Sequence, residues 1–278
     1  MREQYHRQIE ELLSNYGRID VLWFDGGETD WLSFGGDWVG AQWKRRSVGQ
    51  HYRGGFNWGH DEVYAMLRRL QPDVVINGRA DMPEDFHSRE GWGALGNFDN
   101  QKPWELCVPI AGAWGYQPNL KPRPLKDYVQ LLVEVAGRDG NLLLNAGPDR
   151  NGRIDPLQAE RLRGIGGWLR KYGESIYTTR GGPFLPGAWG ASTYRQNRVY
   201  IHVLKWPEHE DSLVLPPIPA KIVRVTALSG GKAAFVQSNQ GVQVSLLPAD
   251  RDDVDTILAI ELDQVADRIG LVGVPAEP

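Results

Sequence analysis

Residues 19–27 (IDVLWFDGG) join a short apolar segment to an acidic residue and two glycines. The apolar part, residues 19–24, predicts a buried strand, and Asp25 then follows the carboxyl end of that strand. Enzymes built from βα units place their reacting groups at this end of their strands, so Asp25 is a candidate catalytic residue. An aspartate followed by glycine also forms ordinary turns, and on the residues alone this structural alternative stays open.

The segments around this strand repeat a pattern of strand, long loop and helix. Residues 1–17 carry apolar side chains at helical spacing, and Asp155 followed by proline is a strong helix start. The predicted buried face of the helix after Asp155 carries Leu157, Leu162, Ile165, Trp168 and Leu169. Between these two helices, predicted helices and strands cover residues 61–70, 72–77, 106–110, 125–136 and 141–145, and Gly137 is the predicted stop of the helix over 125–136. Two irregular loops interrupt them: the glycine- and tryptophan-rich residues 28–58, a candidate functional loop, and residues 78–103. Alternation of this kind predicts an α/β fold with parallel strands, as in a (β/α)8 TIM-like barrel.

Beyond Tyr177 the pattern changes to short alternating segments separated by Gly, Pro, Asn and Asp. Six such segments recur at roughly ten-residue spacing, which indicates an antiparallel β-sandwich domain. We therefore predict two domains, residues 1–178 and residues 179–278.

Composition excludes several classes of protein. The 278 residues carry 31 basic and 35 acidic side chains, so the chain lacks the basic surplus that binds a nucleic-acid backbone. No apolar run approaches the roughly 20 residues that span a bilayer. The single cysteine, Cys107, excludes an internal disulfide, and no two of the six histidines have zinc-site spacing beside a glutamate. We expect no nucleic-acid or membrane partner, no metal and no cofactor.

Tryptophan is unusually frequent, with eight of the 11 between Trp23 and Trp114. Indole rings clustered with glycine and aspartate are suited to stacking on the flat faces of sugar rings. Trp114, in residues 114–116 (WGY), could form such a wall, although a packed aromatic turn explains it equally well.

Glycoside cleavage needs two carboxyl groups, one as nucleophile and one as acid and then base. Asp25 has rivals for the first role in Glu28 and Asp30. The second role could fall to Glu90, within residues 85–90 (DFHSRE), or to Glu105. With 35 acidic residues in the chain, such pairing alone is weak evidence.

Arg79 follows the second predicted strand, in residues 77–79 (NGR). Its guanidinium could bind substrate hydroxyls or hold a neighbouring carboxylate ionised. A surface arginine in a turn is the simpler interpretation of this residue alone.

Taken together, these motifs resemble the family 29 glycoside hydrolases, the α-L-fucosidases. The resemblance covers essentially the whole chain. It is carried, in the family's order, by residues 16–26 (YGRIDVLWFDG), 77–79 (NGR), 85–90 (DFHSRE), 104–107 (WELC), 114–116 (WGY), 141–148 (NLLLNAGP), 152–154 (GRI) and 174–177 (ESIY).

The resemblance implies a retaining glycosidase that releases α-L-fucose from fucosylated oligosaccharides or glycoconjugates by double displacement. Asp25 corresponds to the nucleophile and Glu90 to the acid/base, with Glu105 as its rival. Trp23, Arg79 and Trp114 match positions that line the fucose pocket, and we expect its rim to include Trp31, Trp38, Trp43 and Trp58. The motif at 77–79 departs from the family, which often has Asn-Asp-Arg there; this difference puts no catalytic role in doubt.

In the family, several barrel strands precede the nucleophile strand and carry residues that grip the sugar. A complete barrel takes about 250 residues and a sandwich about 100, more than this chain contains. We therefore expect a partial barrel lacking its N-terminal strands, completed by more polypeptide or by another chain, with a homo-oligomer as one outcome. A carbohydrate-binding protein without turnover and an inactive truncated product remain alternatives. The sequence shows no signal peptide and leaves the compartment open, while the family implies secretion or the periplasm.

Overall fold

The computed structural model describes residues 2–25, 58–80, 82–207 and 212–274. They fall into two compact units, Met1–Ser88 and Arg89–Pro278. Each unit has its own hydrophobic core, and each is described separately.

The first unit pairs two short parallel strands with two helices. Its elements in chain order are α1 (Arg2–Asn15), β1 (Val21–Leu22), α2 (His60–Leu70), β2 (Val75–Ile76) and a 3-10 turn (Gly78–Ala80). Val21 lies opposite Val75 and Leu22 opposite Ile76, so β1, α2 and β2 form a βαβ unit. The βα pattern predicted from the sequence is confirmed here, although each strand is only two residues long.

Apolar side chains from both helices and from the second strand share one core in this unit. Its buried members are Ile9, Leu13, Val63, Leu67, Val74, Ile76 and Met82. The Gln71 side chain ties the end of α1 to the start of β1. Its Nε2 donates to the carbonyls of Leu13 and Gly17 at 2.7 and 2.9 Å, and its Oε1 accepts from the backbone N–H of Ile19 at 2.7 Å. The entry of the chain into β1 is therefore fixed by hydrogen bonds as well as by packing.

The second unit begins with a three-stranded sheet in the order β3, β4, β5. The elements of this part are β3 (His87–Glu90), β4 (Trp104–Pro109), α3 (Leu125–Gly137), β5 (Asn141–Asn145) and α4 (Pro156–Tyr172). β4 and β5 are parallel, with Glu105 opposite Asn141 and Pro109 opposite Asn145. This is a second βαβ unit, with α3 as its connection.

Helix α4 begins as predicted, and part of its predicted inward face is packed. Asp155 caps the helix, since its Oδ1 accepts from the Leu157 N–H at 2.9 Å. Leu157 and Leu162, predicted to be buried, are 44% and 37% exposed, so the prediction was wrong for the first turns of the helix. Ile165 and Trp168, predicted on the same face, are half-buried and pack against buried clusters. The helical period identifies an apolar stripe but not what covers it.

Two antiparallel sheets follow and enclose one core. The first has the order β10, β13, β8, β7, β6 and the second the order β11, β12, β9. Their bounds are β6 (Arg180–Gly181), β7 (Gly190–Arg195), β8 (Arg198–Val203), β9 (Ser212–Leu215), β10 (Ile222–Ala227), β11 (Ala234–Ser238), β12 (Gly241–Ser245) and β13 (Thr256–Leu262). Buried side chains of both sheets, among them Ile201, Leu215, Val244 and Ile260, pack together between them. The sandwich pattern predicted from the sequence is therefore present.

Strand β7 escapes prediction from the sequence because it is buried on both faces. Ala191, Ser192 and Thr193 are all fully buried, so the strand shows no alternation of apolar and polar residues. A Cβ at Gly137, in α3, would lie 2.4 Å from the Cβ of Ala191. The sequence suggested Gly137 as a helix stop, but this close contact between α3 and β7 is what requires a glycine there.

Helices α3 and α4 and the sandwich belong to the same compact unit. Arg180 donates from Nε and Nη2 to the two carboxylate oxygens of Asp139, at 2.8 and 2.5 Å. Gln130 in α3 donates to the Val254 carbonyl at 2.9 Å. The predicted division at residues 178/179 falls inside this packed unit and stays a prediction about domain organisation.

Within the described ranges, no helix has both the length and the apolar character needed to cross a membrane.

A buried ion pair lies within the five-stranded sheet of the sandwich. His202 Nδ1 is 2.7 Å from Asp255 Oδ2, and both side chains are fully buried. Burial raises the pKa of the Asp255 carboxyl, against the opposing attraction of His202.

We expect Asp255→Leu to lower the free energy of unfolding by about 3–5 kcal/mol, because it leaves His202 buried without its partner. The double variant His202→Leu/Asp255→Leu should recover most of that loss, because neither polar group then remains buried. Urea unfolding followed by tryptophan fluorescence measures both, with the exposed Asp253→Leu as control. A double variant as unstable as the single one would contradict this interpretation.

Candidate active site

The first unit brings two of the predicted motifs together at the carboxyl ends of β1 and β2. Because the two strands are parallel and in register, the residues that follow them emerge at the same end of the sheet. Asn77 fixes this arrangement. Its Oδ1 accepts from the Phe24 N–H at 2.7 Å, and its Nδ2 donates to the Phe24 carbonyl at 2.8 Å. The Asn77 side chain is fully buried, so both bonds are shielded from water.

Asp25, Arg79 and Trp23 are in mutual contact through the arginine. Arg79 Nη1 donates to Asp25 Oδ1 at 3.1 Å, and the Arg79 guanidinium lies 4.8 Å from the centre of the Trp23 ring. The Asp25 side chain is 69% exposed, whereas that of Arg79 is 20% exposed. The carboxylate is thus open to a ligand while the cation beside it is packed. The guanidinium donates a charge-assisted hydrogen bond to the carboxylate that would act as the nucleophile.

Asp85, in the motif at residues 85–90, has a structural role. Its Oδ2 accepts from the Ile76 N–H at 2.9 Å and from Arg68 Nη2 at 2.8 Å. These bonds hold the segment after β2 against helix α2.

In the second unit, Glu90 is the last residue of strand β3 and not part of a loop, as the irregular sequence suggested. The preceding Arg89 stacks 3.9 Å from the centre of the buried Trp104 ring and pairs with Asp99 at 3.0 Å. Successive strand residues face opposite sides, so Glu90 points away from Trp104, and it is exposed. An exposed carboxyl group at a strand end is available to a substrate.

Glu105 lies at the opposite end of its sheet from Trp114. It is the second residue of β4 and pairs with Asn141, the first residue of β5. Trp114 instead lies near the last residue of β5, because Asn145 Nδ2 donates to its carbonyl at 2.8 Å. Four residues of extended strand span about 13 Å. Within this unit Glu105 is therefore on the amino side of the strands, away from the end where barrel enzymes place their chemistry.

The motif at residues 141–148 positions Trp114 by contacts with the backbone of the Trp114–Tyr116 turn. Besides the Asn145 bond, Gly147 passes so close to the Trp114–Tyr116 turn that a Cβ would lie 2.7 Å from the Tyr116 nitrogen. Trp114 is 39% exposed, which leaves its indole accessible. The structure thus gives a physical reason for the Asn and Gly of this motif, which sequence reasoning treated only as a family signature.

Some predicted positions lie elsewhere. Trp58, expected on the pocket rim, is only 9% exposed and packs edge-on against Tyr5 at 5.4 Å. The other positions singled out in the glycine- and tryptophan-rich loop lie outside the described residues: Glu28, Asp30, Trp31, Trp38 and Trp43. Cys107 is buried in β4. In the part of the chain that the structure describes, no group of three or more His, Cys, Asp or Glu side chains is placed to hold a metal ion.

Comparison with known proteins gives the same family over most of the chain. The family model described as Alpha-L-fucosidase matches residues 2–174. Tissue alpha-L-fucosidase of Bos taurus is 28% identical over 185 residues, covering 62% of this chain and 39% of that protein. Plasma alpha-L-fucosidase of Homo sapiens is 37% identical over 195 residues, covering 52% of this chain and 41% of that protein. The chain spans about two fifths of the length of these relatives.

Solved structures agree with this result. Alpha-L-fucosidase isoenzyme 1 from Paenibacillus thiaminolyticus matches with a TM-score of 0.74 at 28% identity, over 95% of this chain and 62% of that chain. Thermotoga maritima alpha-fucosidase in complex with fucose matches with a TM-score of 0.69 at 25% identity, over 93% of this chain and 56% of that chain. The fold is that of the glycoside hydrolases which these structures represent. Within that class, the chain belongs to the alpha-L-fucosidase family, family 29.

The Asn77 bridge makes a prediction about stability. Asn77→Ala removes both bonds to Phe24 and should lower the free energy of unfolding by about 2 kcal/mol, because polar groups are left unsatisfied. Thermal unfolding monitored by circular dichroism measures the change. Asn100→Ala is the control, since Asn100 is exposed. Equal melting midpoints for the two variants would show that the Asn77 hydrogen bonds do not stabilise the fold.

Proposed function

We propose that this protein takes part in the hydrolysis of α-L-fucosides with retention of anomeric configuration. One observation carries the proposal: an exposed Asp25 carboxylate held by Arg79 beside Trp23 at the carboxyl ends of two parallel strands. Membership of the alpha-L-fucosidase family supports fucose as the sugar. The Thermotoga maritima relative was solved in complex with fucose, which favours the same ligand here.

In the proposed reaction, an Asp25 oxygen attacks the anomeric carbon of the fucoside. The bond from that carbon to the leaving oxygen breaks, and the oxygen takes a proton from Glu90. Water then attacks the anomeric carbon of the fucosyl ester and gives a proton to Glu90, and the Asp25 carboxylate is released. Two inversions at one carbon produce net retention. Arg79 holds the Asp25 carboxylate in position for the first step and donates a hydrogen bond to it again when it leaves in the second.

Glu90 is proposed as the acid/base in preference to Glu105. Its exposure at the end of β3 supports this choice, as does the position of Glu105 on the amino side of its sheet. Trp23, Arg79 and Trp114 are proposed to line the sugar pocket, with the exposed indole of Trp114 as an apolar wall. A fucosylated oligosaccharide or glycoconjugate is the proposed substrate, and no metal or organic cofactor is required by this chemistry.

We further propose that strands β1–β5 form part of a (β/α)8 barrel within residues 1–178, with residues 179–278 as the sandwich domain. A complete barrel has eight strands. The remaining strands would come from additional polypeptide or from another chain, and assembly of several copies is one way to supply them. The partial coverage of the relatives supports this proposal.

The nucleophile assignment predicts a large kinetic effect. Asp25→Ala should lower kcat on an aryl α-L-fucoside by at least about a thousandfold, because a covalent step is lost. Asp20→Ala is the matched control, since Asp20 precedes the same strand and is exposed in an ion pair with Arg18. Turnover of Asp25→Ala within tenfold of the unchanged protein would refute the assignment. If the unchanged protein shows no turnover but L-fucose raises its melting midpoint, sugar binding without catalysis replaces the proposal.

The acid/base assignment predicts a dependence on the leaving group. Glu90→Gln should lower kcat/KM by about 10²- to 10⁴-fold on a fucoside with a poor leaving group, and much less on one with an activated phenol. A phenol of low pKa leaves without protonation, so the acid matters less for it. Glu105→Gln should affect both substrates equally and weakly. The reverse pattern would transfer the role to Glu105.

A further inference from the structure

Gly78 has no room for a side chain because a carboxylate already occupies that space. A Cβ built at Gly78 would lie 1.5 Å from Glu84 Oε2 and 2.6 Å from Glu84 Cδ. Contacts below 3.0 Å do not occur for a real Cβ, so any larger residue at position 78 must displace the Glu84 carboxylate. Gly78 follows Asn77 and precedes Arg79, in the turn that carries the arginine toward Asp25.

The second oxygen of the same carboxylate is also engaged. Glu84 Oε1 contacts His87 Nδ1, and the Glu84 side chain is only 20% exposed. His87 is the first residue of β3. One carboxylate therefore touches the turn before Arg79 with one oxygen and the start of β3 with the other. The Glu84 side chain thus links the turn that precedes Arg79 to the first residue of β3.

We propose that Glu84 is a positioning residue for Arg79, and that its carboxylate occupies the volume that a side chain at position 78 would otherwise take. The carboxylate belongs to a residue six positions further along the chain, and it occupies the volume that Gly78 leaves open. The functional part of this inference rests on the proposed function, because Arg79 matters through its contact with Asp25.

The charge is expected to matter as well as the volume. A carboxylate against Gly78 places a negative group beside the backbone that carries the Arg79 side chain, and we expect its charge to bias the orientation of the guanidinium. The Arg79 side chain is itself only 20% exposed, so water screens this attraction less than on an open surface. Loss of the carboxylate should therefore loosen the Asp25–Arg79 pair without removing either partner.

A reciprocal exchange of the two positions tests the inference. Gly78→Asp alone should lower the melting midpoint by about 2–4 °C, because the Glu84 carboxylate must leave the volume that the new carboxylate takes. Glu84→Gly alone removes the contact of the carboxylate with both the turn and His87. The double variant Gly78→Asp/Glu84→Gly should recover most of the stability, whereas the double variant Gly78→Asn/Glu84→Gly restores volume without charge. Gly93→Asp is the control, because nothing lies within 4 Å of a Cβ at Gly93.

The orientation of Arg79 is read without any need for turnover. In protein labelled with 15N-arginine, the Nε–Hε NMR signal of Arg79 is identified by its loss in Arg79→Lys. It should broaden or shift in Glu84→Gly, return in the aspartate exchange and stay altered in the asparagine exchange. On an aryl α-L-fucoside, kcat/KM should fall about 10- to 100-fold in Glu84→Gly and follow the same order of recovery.

The outcomes separate the two proposals. An Arg79 signal that responds as described, in a protein without fucosidase turnover, supports the positioning role and overturns the proposed function. An unchanged Arg79 signal in Glu84→Gly overturns the inference whether or not the protein is active. Equal recovery by aspartate and asparagine would show that Glu84 only fills space.

Discussion

The candidate site depends on the reciprocal pair of hydrogen bonds between the Asn77 amide and the backbone of Phe24. Strands β1 and β2 are only two residues long, too short to fix by themselves where the chain goes next. The buried amide joins Phe24, two residues beyond β1, to Asn77, the residue after β2. It thereby sets the separation between Asp25 and Arg79, which are the next charged residues on either side. The Gln71 side chain fixes the segment that enters β1, and Glu84 is proposed to position the turn after β2.

In the second unit, close backbone packing plays the corresponding role. The parallel pair β4 and β5 ends where Asn145 and Gly147 support the turn that carries Trp114. The sandwich packs on helix α3 so tightly that Gly137 admits no side chain beside Ala191. The sequence pattern predicts Gly137 as a helix end, whereas the structure shows that the close contact between α3 and β7 requires a glycine there. Gly78 likewise has no room for a Cβ, but there the space is filled by the Glu84 side chain and not by backbone.

Much of the fold could be predicted from the sequence, with errors of a consistent kind. β5 was predicted with its observed bounds, and the helix beginning after Asp155 starts where its N-cap and proline indicated. The first two strands were predicted too long, because apolar residues continue past the hydrogen-bonded pairs. Strand β7 was missed because burial on both faces removes the alternation by which strands are recognised. The exposed Leu157 and Leu162 show the same limit, since periodicity cannot reveal what packs against a helix.

For the candidate site, the sequence by itself determined which residues to consider: Asp25, Glu90, Trp23, Arg79 and Trp114, of which Asp25, Arg79 and Trp114 follow predicted strands. It did so because the order of local motifs is a property of the chain alone. Only the tertiary structure decided that Arg79 contacts both Asp25 and Trp23, that Glu105 lies on the amino side of its sheet, and that Glu84 occupies the space at Gly78. These facts depend on strand register and on side chains distant in sequence. No local pattern encodes which side chain occupies an empty volume, because that depends on elements packed together from different parts of the chain.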